Sequence, residues 1–361
     1  MAERSSRRAS VKPAGSDAAG SDAAGRLERN AARLAGLAAR GTVPEEGPYR
    51  ESLASVMAAF SGESGEIRPV NKRGQPGGLI RLLPDTPVVL VPDLHGRCGF
   101  FLSVLRHELE GGMTVLEALS KGRVQVVCLG DGFHGESRAA ARWFEALREY
   151  NAGYSIRRNM DGEMAENFAL MEMVMTVKTA FPGFFHFLKG NHENIANEYG
   201  NGNYPFGKFV NEGEMVAAYV RQFYSPFFLE DYYSFEKLLP VFVQGRNFLA
   251  SHAEPERFYT PEEIIGCLEH EEVIYGLTWT DNGQAEFGSV KKMLMHYLAA
   301  PYDRQGFYFG GHRPVPGTHA LRAGGRYVQI HNPSRQIIAV IDQNKAIDLK
   351  VSIMELKSPP S

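Results

Sequence analysis

Apolar positions along this chain fall into short dense blocks separated by longer amphipathic stretches. Residues 87–91, 124–129, 184–188, 247–251 and 307–309 have the length and composition of buried strands. Residues 100–109, 137–150, 163–179 and 215–224 between them read as helices. Strands alternating with helices predict an α/β fold. Two more helical patterns, residues 26–40 and 49–60, precede the first strand and are expected to pack outside the core of the main domain. Residues 72–78, with Gly74-Gln75-Pro76-Gly77-Gly78, read as a loop. Near the N-terminus, Gly15-Ser16-Asp17-Ala18-Ala19 recurs as Gly20-Ser21-Asp22-Ala23-Ala24. That segment has too little apolar mass to offset the entropy of ordering it. The expected organisation is a disordered tail over 1–24, a helical N-terminal extension over 25–78, and a main domain over 79–355.

Each of the five strand-like runs ends on a residue able to hold a metal ion or move a proton. In chain order these are Asp93 with His95, then Asp131, then Asn191 with His192, then His252, then His312. Sites in α/β sheets form where strand ends meet loops, so these groups are placed to converge. Any one of them alone reads as a satisfied polar residue at a strand end. As an ordered set they read as ligands. A mixture of carboxylate, imidazole and amide suits Mn, Fe or Zn better than Ca or Mg. Asp131 can bridge, because a carboxylate has two oxygens. Two ions about 3.5–4 Å apart lower the pKa of a shared water and neutralise phosphate oxygens during in-line displacement. Hydroxide then attacks phosphorus, and the leaving alkoxide needs a proton. His192, directly after Asn191, is the expected general acid.

The residues also resemble the calcineurin-like metallophosphoesterases, and most closely their phosphoprotein (serine/threonine) phosphatase branch. That family carries GDxHG, GDxxDRG, GNHE, a strand ending in His-Gly, and a last His. This chain reads Pro92-Asp93-Leu94-His95-Gly96, Gly130-Asp131-Gly132, Gly190-Asn191-His192-Glu193, Ser251-His252-Ala253 and Gly311-His312. Trp279-Thr280-Asp281 is similar to the family's Trp-Ser-Asp stretch. The resemblance spans about residues 85–345 and makes 79–355 a metallophosphoesterase catalytic domain. It implies a central β-sandwich of mixed sheets flanked by helices, and a binuclear centre of two divalent ions, with Mn favoured. Asp93, His95 and Asp131 would hold the first ion, and Asp131, Asn191, His252 and His312 the second. His192 would be the proton donor.

The second pattern departs from the family. His134 stands where the family has the Asp that orients the catalytic His, and Gly135 where it has the Arg that clamps phosphate. His134 is expected to accept a hydrogen bond from His192, with Glu136 as a second candidate orienter. Arg97 and Arg138 are the candidate substrate-binding replacements for the clamp, because Arg suits bidentate phosphate contact. The gap from Asp131 to Asn191 is longer than in typical members, through the helical pattern at 163–179. His331, in Ile330-His331-Asn332-Pro333, follows a strand-like run near where the family keeps a loop by its site. The remaining histidines read as ordinary.

Composition narrows the rest. A net charge of −3 with no basic stripe argues against generic nucleic-acid binding. No apolar run approaches the roughly 18 residues of a membrane span. Three scattered cysteines fit a reducing, cytoplasmic setting rather than a disulfide framework. The expected function is a metal-dependent phosphomonoesterase acting on a phosphoprotein or small phosphoester. The alternatives are a dinucleoside polyphosphate hydrolase and a phosphate-binding module weakened in catalysis.

Overall fold

Among the described residues, eleven short strands build two sheets that pack face to face. The computed structural model describes residues 16–357, with side chains from residue 24 onward. In chain order the strands are β1 Leu79–Arg81, β2 Val88–Val91, β3 Gln125–Cys128, β4 Phe185–Phe187, β5 Phe242–Gln244, β6 Phe248–Ser251, β7 Phe307–Gly310, β8 Ala320–Arg322, β9 Tyr327–Gln329, β10 Ile337–Ile341 and β11 Ile353–Glu355. One sheet has the order β11-β10-β2-β3-β4, the other β1-β5-β6-β7-β9-β8. Both are mixed, and each has a parallel set of three adjacent strands: β2-β3-β4 in the first, β6-β7-β9 in the second.

Alternation along the strands sorts the core into layers. Val88 and Leu90 of β2 face the second sheet and pack with Val127, Phe248, Ala250, Phe309 and Val328. Val89 and Val91 point the other way, into a helical layer with Val126 and Cys128. The far face of the second sheet packs Leu249 and Tyr308 against Val290, Met293 and Leu294 of the helix Ser289–Tyr297. All four of these faces are apolar because each sheet is covered on both sides. The β-sandwich flanked by helices is therefore present. Among the described residues, no helix is long and apolar enough to cross a membrane.

The N-terminal region differs from its expected form. A helix runs from Ser16 to Ala38, so residues 16–24 are helical; residues 1–15 of the expected tail lie outside the described residues. Alanine is the strongest helix former, and the repeat is rich in it. Nor do the two N-terminal helices sit outside the core. Tyr49, Leu53, Val56 and Phe60, on one face of the helix Glu46–Ser61, are buried in the same cluster as Phe168, Phe228, Tyr232 and Phe235. The Tyr49 ring lies 5.1 Å from Phe168 and 5.5 Å from Phe228. Arg33 and Arg40 both reach Glu172, at 3.1 and 2.6 Å. The long helix Arg158–Ala180 lies at the centre of this layer and is buried along most of its length. Helical periodicity announces a buried face but not what covers it.

Leu53 is fully buried, so Leu53→Ala is expected to cost about 2–5 kcal/mol in urea denaturation of the whole protein. A variant as stable as the parent contradicts a core shared between the N-terminal helices and the rest.

Candidate metal centre

The two parallel strand sets point their C-terminal ends at one place. From the first sheet come Asp93 and His95 after β2, Asp131 after β3, and Asn191 and His192 after β4. From the second come His252 after β6, His312 after β7, and His331 after β9. Every residue of this set except His331 was singled out in the sequence as a ligand or acid. His331 belongs with them: its Nδ1 lies 3.7 Å from Asp93 Oδ2. Its strand is only three residues long and no glycine punctuates the turn after it, so the sequence carried only its position near the end of an apolar run.

Sharp turns deliver these groups. His95, Asp131, His134 and His312 have φ of 43°, 50°, 62° and 64°, a left-handed conformation that non-glycine residues rarely adopt and that clusters at functional sites. The neighbouring glycines make room. A Cβ on Gly190 would collide with the Asp131 carboxylate, and one on Gly311 with that of Asp93. Glu193 ties two turns together: its carboxylate accepts from Asp131 N at 3.0 Å, Gly132 N at 2.7 Å and Gly190 N at 2.6 Å. Burial and then the nearby Asp131 push the Glu193 carboxyl up.

The imidazoles are oriented by carbonyls. His95 Nδ1 donates to Phe133 O and His134 O at 3.2 and 2.9 Å, which turns Nε2 to 3.6 Å from Asp131 Oδ2. His252 Nδ1 donates to Leu129 O at 2.9 Å and turns Nε2 to Asp131 Oδ2 at 3.3 Å and Asn191 Oδ1 at 2.9 Å. His312 Nδ1 lies 3.0 Å from the same Asn191 oxygen. His331 Nε2 bonds Glu136 Oε2 at 2.9 Å, the carboxylate–imidazole pairing that fixes a ligand's other nitrogen toward a metal.

Asp93 and Asp131 are almost completely buried, and the electrostatics around them call for a cation. Burial works against the Asp131 carboxylate, but the imidazoles that face it outweigh burial and hold it well below the usual range. Burial likewise lowers His252, yet Asp131 and Asp93 pull it up to about 9. Three overlapping groups bring ligand atoms within 4.8 Å of one another: Asp93-His95-His331, His95-Asp131-His192 and Asp93-Asp131-His252. Asp93 Oδ1 and His331 Nδ1 are buried without a hydrogen-bond partner. Orphaned donors of this kind, in a mixed O/N set, fit divalent transition-metal ions.

His192 sits beside this cluster, with Nε2 3.7 Å from Asp131 Oδ2 and Nδ1 3.1 Å from His134 Nδ1. Burial holds His134 down at about 3 and His192 well below its usual value, so both rings are neutral. One of the two facing nitrogens must then donate. Donation by His134 puts the His192 proton on Nε2, facing the centre, and leaves His134 Nε2 as a lone pair. The reverse would bury an N–H on His134 Nε2, an atom with no partner, and an orphaned donor is the rarer outcome. The arrangement that leaves no buried N–H unpaired therefore has His134 as donor, opposite to the expected direction. Phe206 backs the His192 ring at a centroid distance of 3.7 Å. Glu136 does not orient His192. It pairs with His331 and, at 2.8 Å, with Lys208.

The two arginines expected to replace the clamp are correctly placed in neither case. The Arg97 guanidinium donates to the carbonyls of Asp93, Leu94, Asn332, Pro333 and Arg335 and lies over the Phe100 ring. Arg138 donates to His95 O and pairs with Glu166 at 2.6 Å. Both line a cavity beside the His95 loop, with Arg40, Pro333 and Gln336, and a much smaller one, about 10 Å³, that also touches His95 and Glu136. A side chain at Gly135 would meet Ala139 Cβ at 2.8 Å and Glu163 Oε1 at 2.9 Å, so the helix Arg158–Ala180 occupies the space an arginine there would need. The pocket over the centre, about 180 Å³, is lined instead by Phe206, Lys208, Trp279 and Arg313 along with the ligand candidates.

No protein-family model and no curated protein matches this chain. Solved structures do. A protein serine/threonine phosphatase from Saccharomyces cerevisiae, with similarity to human phosphatase PP5, aligns over 88% of this chain and 91% of its own at 13% identity, with a TM-score of 0.53. A cold-active protein tyrosine phosphatase aligns over 78% of this chain and 79% of its own at 14% identity, with a TM-score of 0.42. One from a psychrophilic Shewanella covers 77% and 83% at 15% identity, with a TM-score of 0.39. The last two overlaps carry no weight here. The first, together with the two helix-flanked mixed sheets, shows that the chain has the fold of that serine/threonine phosphatase, the helix-flanked β-sandwich expected from the sequence.

Proposed function

We propose that the protein is a metal-dependent phosphomonoesterase. The observation that carries this is the convergence of strand ends from both sheets on two buried carboxylates ringed by imidazoles. Asp93, His95, Asp131 and His331 would hold one divalent ion, and Asp131, Asn191, His252 and His312 a second. When bound, such a pair activates water near neutral pH and neutralises charge on phosphate oxygens. The chain's own groups supply the rest. His192 Nε2–H faces the pocket and protonates the departing alkoxide. His134 fixes its tautomer and Phe206 its plane. The pocket is smaller than the roughly 300–1,000 Å³ of most ligand sites, which supports a phosphate group entering with the remainder of the substrate outside. The serine/threonine phosphatase whose fold this chain shares adds support for a phosphorylated substrate.

A second reading is a phosphate-binding module without turnover. It is favoured only by His134 and Gly135, where the resembled family has its orienting carboxylate and clamp.

Purified protein supplied with Mn²⁺ is expected to hydrolyse an aryl phosphate, and Asp131→Asn to lower turnover by at least about 10²-fold. Absent turnover in metal-loaded protein that still binds phosphate favours the module. His134→Ala is expected to lower kcat by about tenfold or more with little change in KM, part of the roughly 10²–10⁴ that general acid catalysis contributes. Equal kcat in the variant removes His134 from the mechanism. Glu136→Ala, which frees the His331 ring, is expected to weaken Mn²⁺ binding by about 10–100-fold by calorimetry. Unchanged affinity shows that His331 is not a ligand.

A further inference from the structure

The fold has closed the position from which the resembled family clamps phosphate, yet the pocket is not without cations. Two line it, Lys208 and Arg313. Arg313 meets both oxygens of Asp281 through its Nε and one terminal nitrogen, at 2.8 and 2.7 Å, a two-pronged pair that fixes its plane. Lys208 is held by a single ion pair. Its ammonium donates to Glu136 Oε1 at 2.8 Å, and an ammonium has three donors. The side chain is 40% exposed.

The loop that carries Lys208 is built to hold it there. The buried Glu212 carboxylate accepts from Lys208 N at 2.8 Å and from Phe209 N at 2.7 Å. Gly213 N donates to Phe206 O at 3.0 Å. The same loop presses Phe206 onto His192. One pinned segment therefore supports the proton donor and sets a cation at the pocket edge. Glu136, which aims that cation, is the residue directly after the vacated clamp position. It also reaches His331 and lies 3.7 Å from His95 Nε2, so the ammonium is placed beside the ligand cluster.

We propose that Lys208 is the phosphate-positioning residue of this protein, oriented by Glu136, in place of an arginine at position 135. This rests on the reading of the site as a phosphoester hydrolase. Lys208 uses its two remaining donors on the non-bridging oxygens of the substrate phosphate, and a point charge on a flexible stem favours a dianionic monoester over a monoanionic diester.

The test is calorimetric titration of Mn²⁺-loaded protein with inorganic phosphate, on the parent, Lys208→Met and Lys208→Arg. Metal content and melting temperature are measured on each. Lys208→Met is expected to keep its metal and its melting temperature and to bind phosphate about 10–100-fold more weakly, the value of a charge-assisted hydrogen bond. Lys208→Arg is expected to recover most of that loss. Phosphate affinity unchanged in Lys208→Met overturns the proposal while leaving the hydrolase reading intact. So does a loss of affinity in Lys208→Met that merely follows lost metal, or one that Lys208→Arg fails to restore. A parent that holds metal and binds no phosphate overturns both.

Discussion

Two carboxylates sit inside this protein with almost no access to water, and the rest of the site follows from that fact. A buried anion is costly unless paired and hydrogen-bonded. Asp93 and Asp131 receive that compensation from imidazoles brought by separate strands of two sheets, and by backbone amides such as His312 N on Asp93 Oδ2 at 2.9 Å. The balance still leans negative, as the rise of His252 to about 9 shows. A site of that sign, with Asp93 Oδ1, His312 Nε2 and His331 Nδ1 left unpaired, could hold divalent cations.

The sandwich is what makes this affordable in geometry. Each sheet contributes three adjacent parallel strands, so each delivers three neighbouring C-terminal ends. The left-handed turns at His95, Asp131, His134 and His312 then fold side chains back over the strand ends. Such backbone costs of order 1–3 kcal/mol per residue. It is offset by buried ties such as Glu193, which joins the Asp131 turn to the Asn191 turn, and Glu163, which holds the His134 turn through Gly135 N.

Much of this was legible in the sequence, and the reasons it was not everywhere so are local. The five long apolar runs, each stopped by a metal-capable residue, mark five of the six converging strands. β9 spans three residues, and its His331 is followed by Asn332-Pro333 rather than by glycine. The strands β1, β5, β8 and β11 span three residues each, too few for a period to declare itself. The N-terminal helices showed an apolar face, but their partner, the helix Arg158–Ala180, is more than a hundred residues away in sequence. Arg97 and Arg138 stand close to the ligands along the chain, yet carbonyls and Glu166 claim their guanidinium groups. Lys208 stands 72 residues from Glu136 and meets it only in space. Proximity in sequence therefore located the ligands, which lie on the strand ends, better than the groups that reach them from loops.

The most direct test of the central claim is metal content and position. Protein saturated with Mn²⁺ and freed of excess is analysed for bound metal, then crystallised and located by anomalous scattering. The account predicts two ions per chain, about 3.5–4 Å apart, with Asp131 between them and His331 on the side of Asp93. Protein that retains no metal, or ions bound away from Asp93 and Asp131, contradicts it.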